Sequence, residues 1–383
     1  MVSGLRCVQL TIKLMGNAKR RWLELDALRA FAVMLVVWSH STNRSIGLTG
    51  FEGVLLFFVI SGFLITHILL EARGAAPRST VLRAFYLRRF LRIFPIYYVV
   101  LFLTAMARIP NVREALPWHV AYLSNWYYAF GGPLDKAVHL WSLAVEEQFY
   151  LLWPWCTLLL SRAALPWALG VMIITGPMSR LMLGCAGANS VAVWTMTPTV
   201  FDALGLGCLL AYLWKETALA DRWAYWALGL GIVVMGLHIA APRFGLGANP
   251  IVTFAVGTLG WRFLCFFFVH RAARGIPGLL GRVLTAPPLI FIGTISYGIY
   301  LIHPFVIPAI AIVEQHFHIQ VPIAKYPGLR QFFSVAAISI AAAAVSWRFL
   351  ERPLNSLKKR FPYAPDASGA SGRDITHSFA TRS

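Results

Sequence analysis

The run GFEGVLLFFVISGFLITHILL, from Gly50 to Leu70, decides the architecture of this chain. It is almost wholly apolar and as long as the ~20 residues a helix needs to cross the hydrocarbon of a bilayer. One comparable run precedes it, Trp22–Ser41. Eight follow: Pro95–Arg108, His139–Leu160, Leu165–Leu183, Thr195–Trp214, Trp223–Ala241, Pro250–His270, Pro288–Val313 and Leu329–Leu350. The expected fold is all-α, a polytopic membrane helix bundle of about ten transmembrane helices. Residues 22–353 form the membrane domain, 1–21 an N-terminal cytoplasmic segment, and 354–383 a Ser/Ala/Gly/Thr-rich cytoplasmic tail expected to lack order.

Composition agrees. Of 383 residues, 58% are hydrophobic and only 13% charged, against about 25% charged in a soluble domain. Mean hydropathy is +0.66. A net charge of +19 would suggest nucleic acid in a soluble protein. Here no nucleic-acid motif accompanies it, and basic residues accumulate in the cytoplasmic loops of membrane proteins, where they also meet anionic lipid. Cys7, Cys156, Cys185, Cys208 and Cys265 show no CxxC or His-paired spacing, so neither a disulfide framework nor a metal site is expected. No short apolar core ending in a small-residue cleavage site opens the chain, so no signal peptide is expected.

Charge sets the topology. Lys13, Lys19, Arg20 and Arg21 put the N-terminus in the cytoplasm, and Arg73, Arg78, Arg83, Arg88, Arg89 and Arg92 put the loop after the second span there too. Later basic loops, including Lys358, Lys359 and Arg360, all fall inside only if Leu116–Phe130, rich in Trp and Tyr, does not cross. That segment is expected as an outer interfacial or re-entrant piece, with both termini cytoplasmic in the plasma (inner) membrane. Arg78–Phe94 alternates Arg with Leu, Phe and Tyr, the pattern of an amphipathic helix lying in the cytoplasmic interface.

Ionisable groups at membrane depth are costly and hence functional candidates. Arg29 and His40 share a face of the first span, ~16 Å apart along its axis. An imidazole facing the bundle can act as general base, and an Arg on the same stripe can hold phosphate. The fourth span opens His139-Leu-Trp-Ser-Leu-Ala-Val-Glu-Glu-Gln-Phe-Tyr150. Glu146 shares a face with Tyr150 and Trp153 while Glu147 points elsewhere. By parity this helix starts on the side of His40, so Glu146 is expected to orient its imidazole. Ser296, Tyr300 and His303 form a stripe on the ninth span. Arg180, Asp202 and Arg262 read as structural bridges between helices. His67, His119, His238, His270, His316 and His318 read as interfacial or loop residues. Nucleophile-elbow, zinc-protease, P-loop and dinucleotide motifs are missing.

The order Arg29-x10-His40, Phe57-Phe58-x-x-Ser61-Gly62, Arg89-x-x-Arg92-Ile-x-Pro95, Trp141-Ser-Leu-x-Val-Glu146-x-Gln148-Phe-Tyr150, Ser296-Tyr-x-x-Tyr300-Leu-x-His303 and Phe349-Leu-Glu351-Arg-Pro353 resembles the acyltransferase-3 family. These are bacterial membrane O-acyltransferases of surface polysaccharides and related glycosides. The resemblance covers Trp22 to Pro353. It implies transfer of an acyl group, acetyl above all, from acyl-CoA as co-substrate to a hydroxyl of a sugar-containing acceptor. It further implies His40 as the catalytic residue with Glu146 as its partner, Arg29, Arg89 and Arg92 binding the CoA donor, and no tightly bound cofactor. Ser61, Tyr150, Ser296, Tyr300 and His303 are expected to bind substrate. Two departures stand out: many members carry a polar residue where Leu55 stands, and an Arg shortly before the position of Asp202 where this chain has Thr199-Val200-Phe201. The hydrolase-like C-terminal domain of some members is not expected. The alternative function is a transporter of acyl groups or lipid-linked sugars, because buried Arg, His and Glu also make proton relays. The inverted repeats common in transporters are not apparent in the sequence.

Overall fold

The computed structural model describes residues 22–42, 50–109, 111–244, 250–318 and 328–363. The described residues form a helical bundle without β-strands, a single isolated bridge joining Arg73 and Ala76. The N-terminal segment 1–21 and the chain beyond 363 lie outside the described residues, as do the charges expected there.

Three long helices open the bundle: α1 (Leu23–Thr42), α2 (Gly50–Ala72) and α3 (Arg78–Met106). Two short ones follow, α4 (Leu116–Val120) and α5 (Ser124–Ala129), then α6 (Trp141–Leu159) and α7 (Leu165–Cys185). After the short α8 (Ser190–Thr195) come α9 (Phe201–Glu216), α10 (Ala220–Ala240), α11 (Pro250–Arg274) and α12 (Gly278–Leu284). The ninth expected span is broken into α13 (Pro287–Thr294), α14 (Ser296–Ile302), a tight turn over His303–Phe305, and α15 (Val306–Phe317). The chain then forms α16 (Leu329–Ser346), a wide π-type turn over Trp347–Glu351, and α17 (Arg352–Ser356).

Seven of the described helices are long and apolar enough to cross a membrane, or eight if α11 and α12, bent by 93° between Arg274 and Gly278, count as one span. The expected ten is not reached because α1 and α6 fall short. Glu24, Asp26 and Arg29 dilute the first, and Glu146, Glu147 and Gln148 the second. Each of these two helices carries two of the candidate site residues, Arg29 and His40 on α1 and Glu146 and Tyr150 on α6.

Packing is close where Gly lets backbones touch, as membrane helix pairs require. A Cβ at Gly62 would stand 2.1 Å from the Leu204 carbonyl oxygen, and one at Gly207 would stand 2.1 Å from that of Val59. These reciprocal contacts lock α2 onto α9.

Four expectations are corrected. Arg78–Phe94 is not a separate interfacial helix: α3 runs unbroken through Pro95 for 29 residues. At 1.5 Å per residue it is ~44 Å long, so its Arg-rich half extends beyond a ~30 Å hydrocarbon layer without needing a break. His119 is not a loop residue but fully buried, its Nε2 3.4 Å from Asp135 Oδ2. Tyr128 donates to the other oxygen of Asp135 at 2.8 Å. Burial, with Asp135 adjacent, raises the Tyr128 hydroxyl above the ordinary phenol range, so it stays a donor. His270, expected at an interface, is buried and pairs with Asp221 at 2.8 Å. The Leu116–Phe130 segment is split by Tyr122 at φ 53° into two helices far too short to cross. Gln148 of α6 ties it down, its Nε2 donating to the Tyr122 carbonyl at 2.9 Å and to Asn125 Oδ1 at 3.0 Å. The expected tail is ordered as far as Tyr363, with a turn over Leu357–Arg360.

Candidate active site

One face of α1 carries Leu25, Asp26, Arg29, Val36, Ser39 and His40, spaced by three, four or seven residues, and three chambers run end to end along it. A basic chamber is lined by Asp26, Arg29, Arg92, Tyr297, Glu351 and Lys358, among others. A narrower central chamber shares Arg29, Arg92 and Tyr297 with it. A third holds His40 and shares Val54 and Tyr300 with the central one.

The central chamber gathers most of the expected site: Arg29, Ser61, Arg89, Arg92, Glu146, Tyr150, Ser296 and Tyr300 all line it. Ser61 donates to Glu146 Oε1 at 2.6 Å, and Tyr150 donates to Ser61 Oγ at 3.2 Å. Arg29 is neutralised by Asp26 one turn earlier, at 3.0 Å. Arg89 and Arg92, one turn apart on α3, have no carboxylate partner among the described residues. Arg89 lies over the Tyr150 ring at 5.2 Å from its centroid, a cation–π contact that leaves its N–H donors available.

His40 is held by His303. Its Nδ1 lies 2.9 Å from His303 Nε2, and the rings stack at 15°. The other nitrogen of His303, Nδ1, faces only carbonyl oxygens, those of Tyr300 at 2.8 Å and Ile299 at 3.2 Å. It must therefore carry the proton, which makes the Nε2 of a neutral His303 an acceptor. His40 then donates through Nδ1, and its Nε2 keeps a lone pair. The stripe of Ser296, Tyr300 and His303 places one residue in each setting: Ser296 in the central chamber, Tyr300 on the shared wall, and His303 behind His40.

The expected pairing of Glu146 with His40 does not occur. Glu146 bonds Ser61 in the central chamber, whereas His40 lines the next one. His139, on α6's approach, is already level with His303, their ring centroids 5.4 Å apart. Glu146 is seven residues further along, about 10 Å deeper at 1.5 Å per residue. Nor does Glu147 point away, since it lines the same chamber as Glu146.

Three further residues that the sequence did not single out line the chambers: Ser142, Tyr297 and Trp194. Ser142 and Tyr300 hydroxyls are 2.6 Å apart, and Tyr300 donates to the His139 carbonyl at 2.8 Å. Tyr297 lines two chambers, and Trp194 lines the third. Ser142 and Tyr297 sit inside the quoted motifs beside residues that were chosen; nothing in the sequence set Trp194 apart.

The family described as acyltransferase domain matches residues 22–348. The chain belongs to the acyltransferase-3 family. It is 31% identical to the O-acetyltransferase OatA of Staphylococcus aureus over 92% of this chain and 60% of that protein. It is 32% identical to the peptidoglycan O-acetyltransferase OatA of Listeria monocytogenes over 86% of this chain and 55% of that one. The chain thus spans little more than half the length of these relatives. No solved structure matches it. In this acyltransferase-3 chain the Arg before Asp202 is missing from its own helix, but Arg180 of α7 and Arg262 of α11 flank that carboxylate instead.

Proposed function

We propose that this protein is a membrane O-acyltransferase that moves an acetyl group from acetyl-CoA to a hydroxyl of a sugar-containing acceptor, such as peptidoglycan or another cell-surface polysaccharide, with its basic chamber toward the cytoplasm. The observation that carries the reading is the bare Nε2 of His40 at the far end of a series of chambers whose near end is basic. CoA is a cytoplasmic polyanion, and Arg89 and Arg92 have guanidinium groups unclaimed by carboxylates, suited to charge-assisted bonds with phosphates. The pantetheine arm runs past Ser61 and Tyr150 to the wall formed by Val54 and Tyr300. His40 Nε2 takes the proton of the acceptor hydroxyl as its oxygen attacks the thioester carbon. The C–S bond breaks and the proton passes to the departing thiolate, leaving an ester and free CoA. His303 holds His40 in the required tautomer, the role first expected of Glu146.

The test is His40→Ala in proteoliposomes supplied with radiolabelled acetyl-CoA and peptidoglycan fragments. A lost general base costs about 10²–10⁴-fold in rate, with the protein still present in the membrane. Retention of more than about a tenth of the wild-type rate would remove His40 as base. Accumulation of free acetate inside the vesicle without ester would instead favour the transporter.

A further inference from the structure

The His40 chamber has a wall that catalysis as described leaves unused. Trp194, on the short α8, lines it beside Trp141 and Phe51. Trp141 is buried, packed against Phe51 at 6.0 Å and against Trp194 edge-on at 5.6 Å. Trp194 is only partly buried. Its indole N–H finds no protein acceptor among the described residues, and the hydroxyl of Ser39, which lines the same chamber, is equally uncommitted. With His40 Nε2 and the two ring nitrogens of His139, which make no hydrogen bond among the described residues, the chamber offers both donors and acceptors beside its two indoles.

We infer that Trp194 is the floor of an acceptor subsite for a pyranose ring, docked with its C–H face on the indole and its hydroxyls toward Ser39 and His40. Three features select this ligand class. A pyranose has an apolar face that suits an aromatic ring, whose π-cloud attracts the weakly positive C–H groups. Its rim of hydroxyls needs both donors and acceptors, and an acyl chain would leave Trp194 Nε1 and Ser39 Oγ desolvated without a partner, at a cost. A site of a few aligned polar groups on an aromatic wall fixes one orientation, here one that turns a single hydroxyl to His40. The subsite rests on the reading of this protein as an O-acyltransferase, since that reading supplies the role of His40.

The test separates the two. N,N′-diacetylchitobiose, a soluble disaccharide of acetylated aminosugars, is titrated onto detergent-solubilised full-length protein with no acetyl-CoA present, and binding is read by calorimetry. Wild type binds it without any acyl donor. Trp194→Ala weakens binding about tenfold, whereas Trp194→Phe, which keeps a ring face and loses only the N–H, weakens it less. In the transfer assay Trp194→Ala raises the KM for acceptor and leaves the KM for acetyl-CoA unchanged, a split that a general loss of packing would not give. No disaccharide binding by wild type, equal binding by wild type and Trp194→Ala, or transfer solely to a protein hydroxyl overturns the subsite. Sugar binding that needs Trp194, with no acetyl transfer by wild type, overturns the acyltransferase reading and leaves the subsite standing.

Discussion

Arg180 and Arg262 meet, buried, between α7, α9 and α11, whereas Arg89 and Arg92 stand half-buried on the wall of the central chamber, and the two pairs of cations are treated very differently by their surroundings. Arg180 and Arg262 are fully buried and both reach Asp202, at 2.7 Å and 2.9 Å. Arg180 also donates to the Thr199 carbonyl. Arg89 and Arg92 face open space with no acid in ion-pair range. A charge inside a membrane protein has to be answered somehow. The first pair is answered by the protein itself, which ties three helices together. The second is left open to an anion, which the proposed acyl-CoA donor would supply. Burial of charge is thus a poor guide to function by itself; a cation that lines a cavity and lacks a partner is a better one.

The comparison breaks most easily at Asp202. Asp202→Asn leaves two guanidinium groups buried without a counter-charge, and removing one partner of such a group costs about 3–5 kcal/mol. The variant should melt well below wild type in detergent or fail to accumulate in the membrane. Unchanged melting would mean that this cluster is not structural and that the contrast is false. A smaller effect, of a different kind, is expected at the other pair. Arg89→Ala combined with Arg92→Ala should leave the melting temperature near wild type and raise the KM for acetyl-CoA about 10–100-fold, since a hydrogen bond to a charged group contributes about 1.5–3 kcal/mol. The KM for acceptor should move little. An unaltered donor KM would reduce these arginines to a topology signal.

Much of this contrast was legible in the sequence, and the missing part has a common cause. Arg29 and His40 on one face of α1, and Ser296, Tyr300 and His303 on one stripe, follow from helical period alone, and the structure keeps both alignments. Likewise the reading that Leu116–Phe130 does not cross followed from the placement of the basic loops on one side. What period cannot supply is the axial offset of one helix against another. Glu146 and His40 were placed together because both lay toward the same end, but seven residues of α6 separate the depth of His139, beside His303, from that of Glu146. The partner His303 had been chosen for its stripe, not for its reach to α1. His119 misled for a related reason: a His in a short polar segment gives no sign that Asp135 will fold back to bury it.

The finest test lies within the central chamber, between adjacent carboxylates. Successive residues of a helix are about 100° apart, which had placed Glu147 off the site. The chamber is broad enough for both to line it, so position no longer separates them and bonding must. Glu146 accepts a 2.6 Å bond from Ser61, which is in turn bonded by Tyr150. Glu147 makes no such bond among the described residues. Glu146→Gln retains an oxygen for Ser61 and removes only the charge that faces Arg29, Arg89 and Arg92. If that charge sets how the donor is seated, kcat should fall about tenfold, roughly 1.4 kcal/mol of transition-state stabilisation, with no change in melting temperature. Glu147→Gln, with no bonded network to disturb, should cost about twofold or less, within the ~0.5 kcal/mol typical of substitutions away from such features. Equal losses at the two positions would mean that the carboxylates act as one unit against the arginines. In that case the bond to Ser61 would no longer distinguish Glu146, and the chamber would be better described by its net charge than by any single contact.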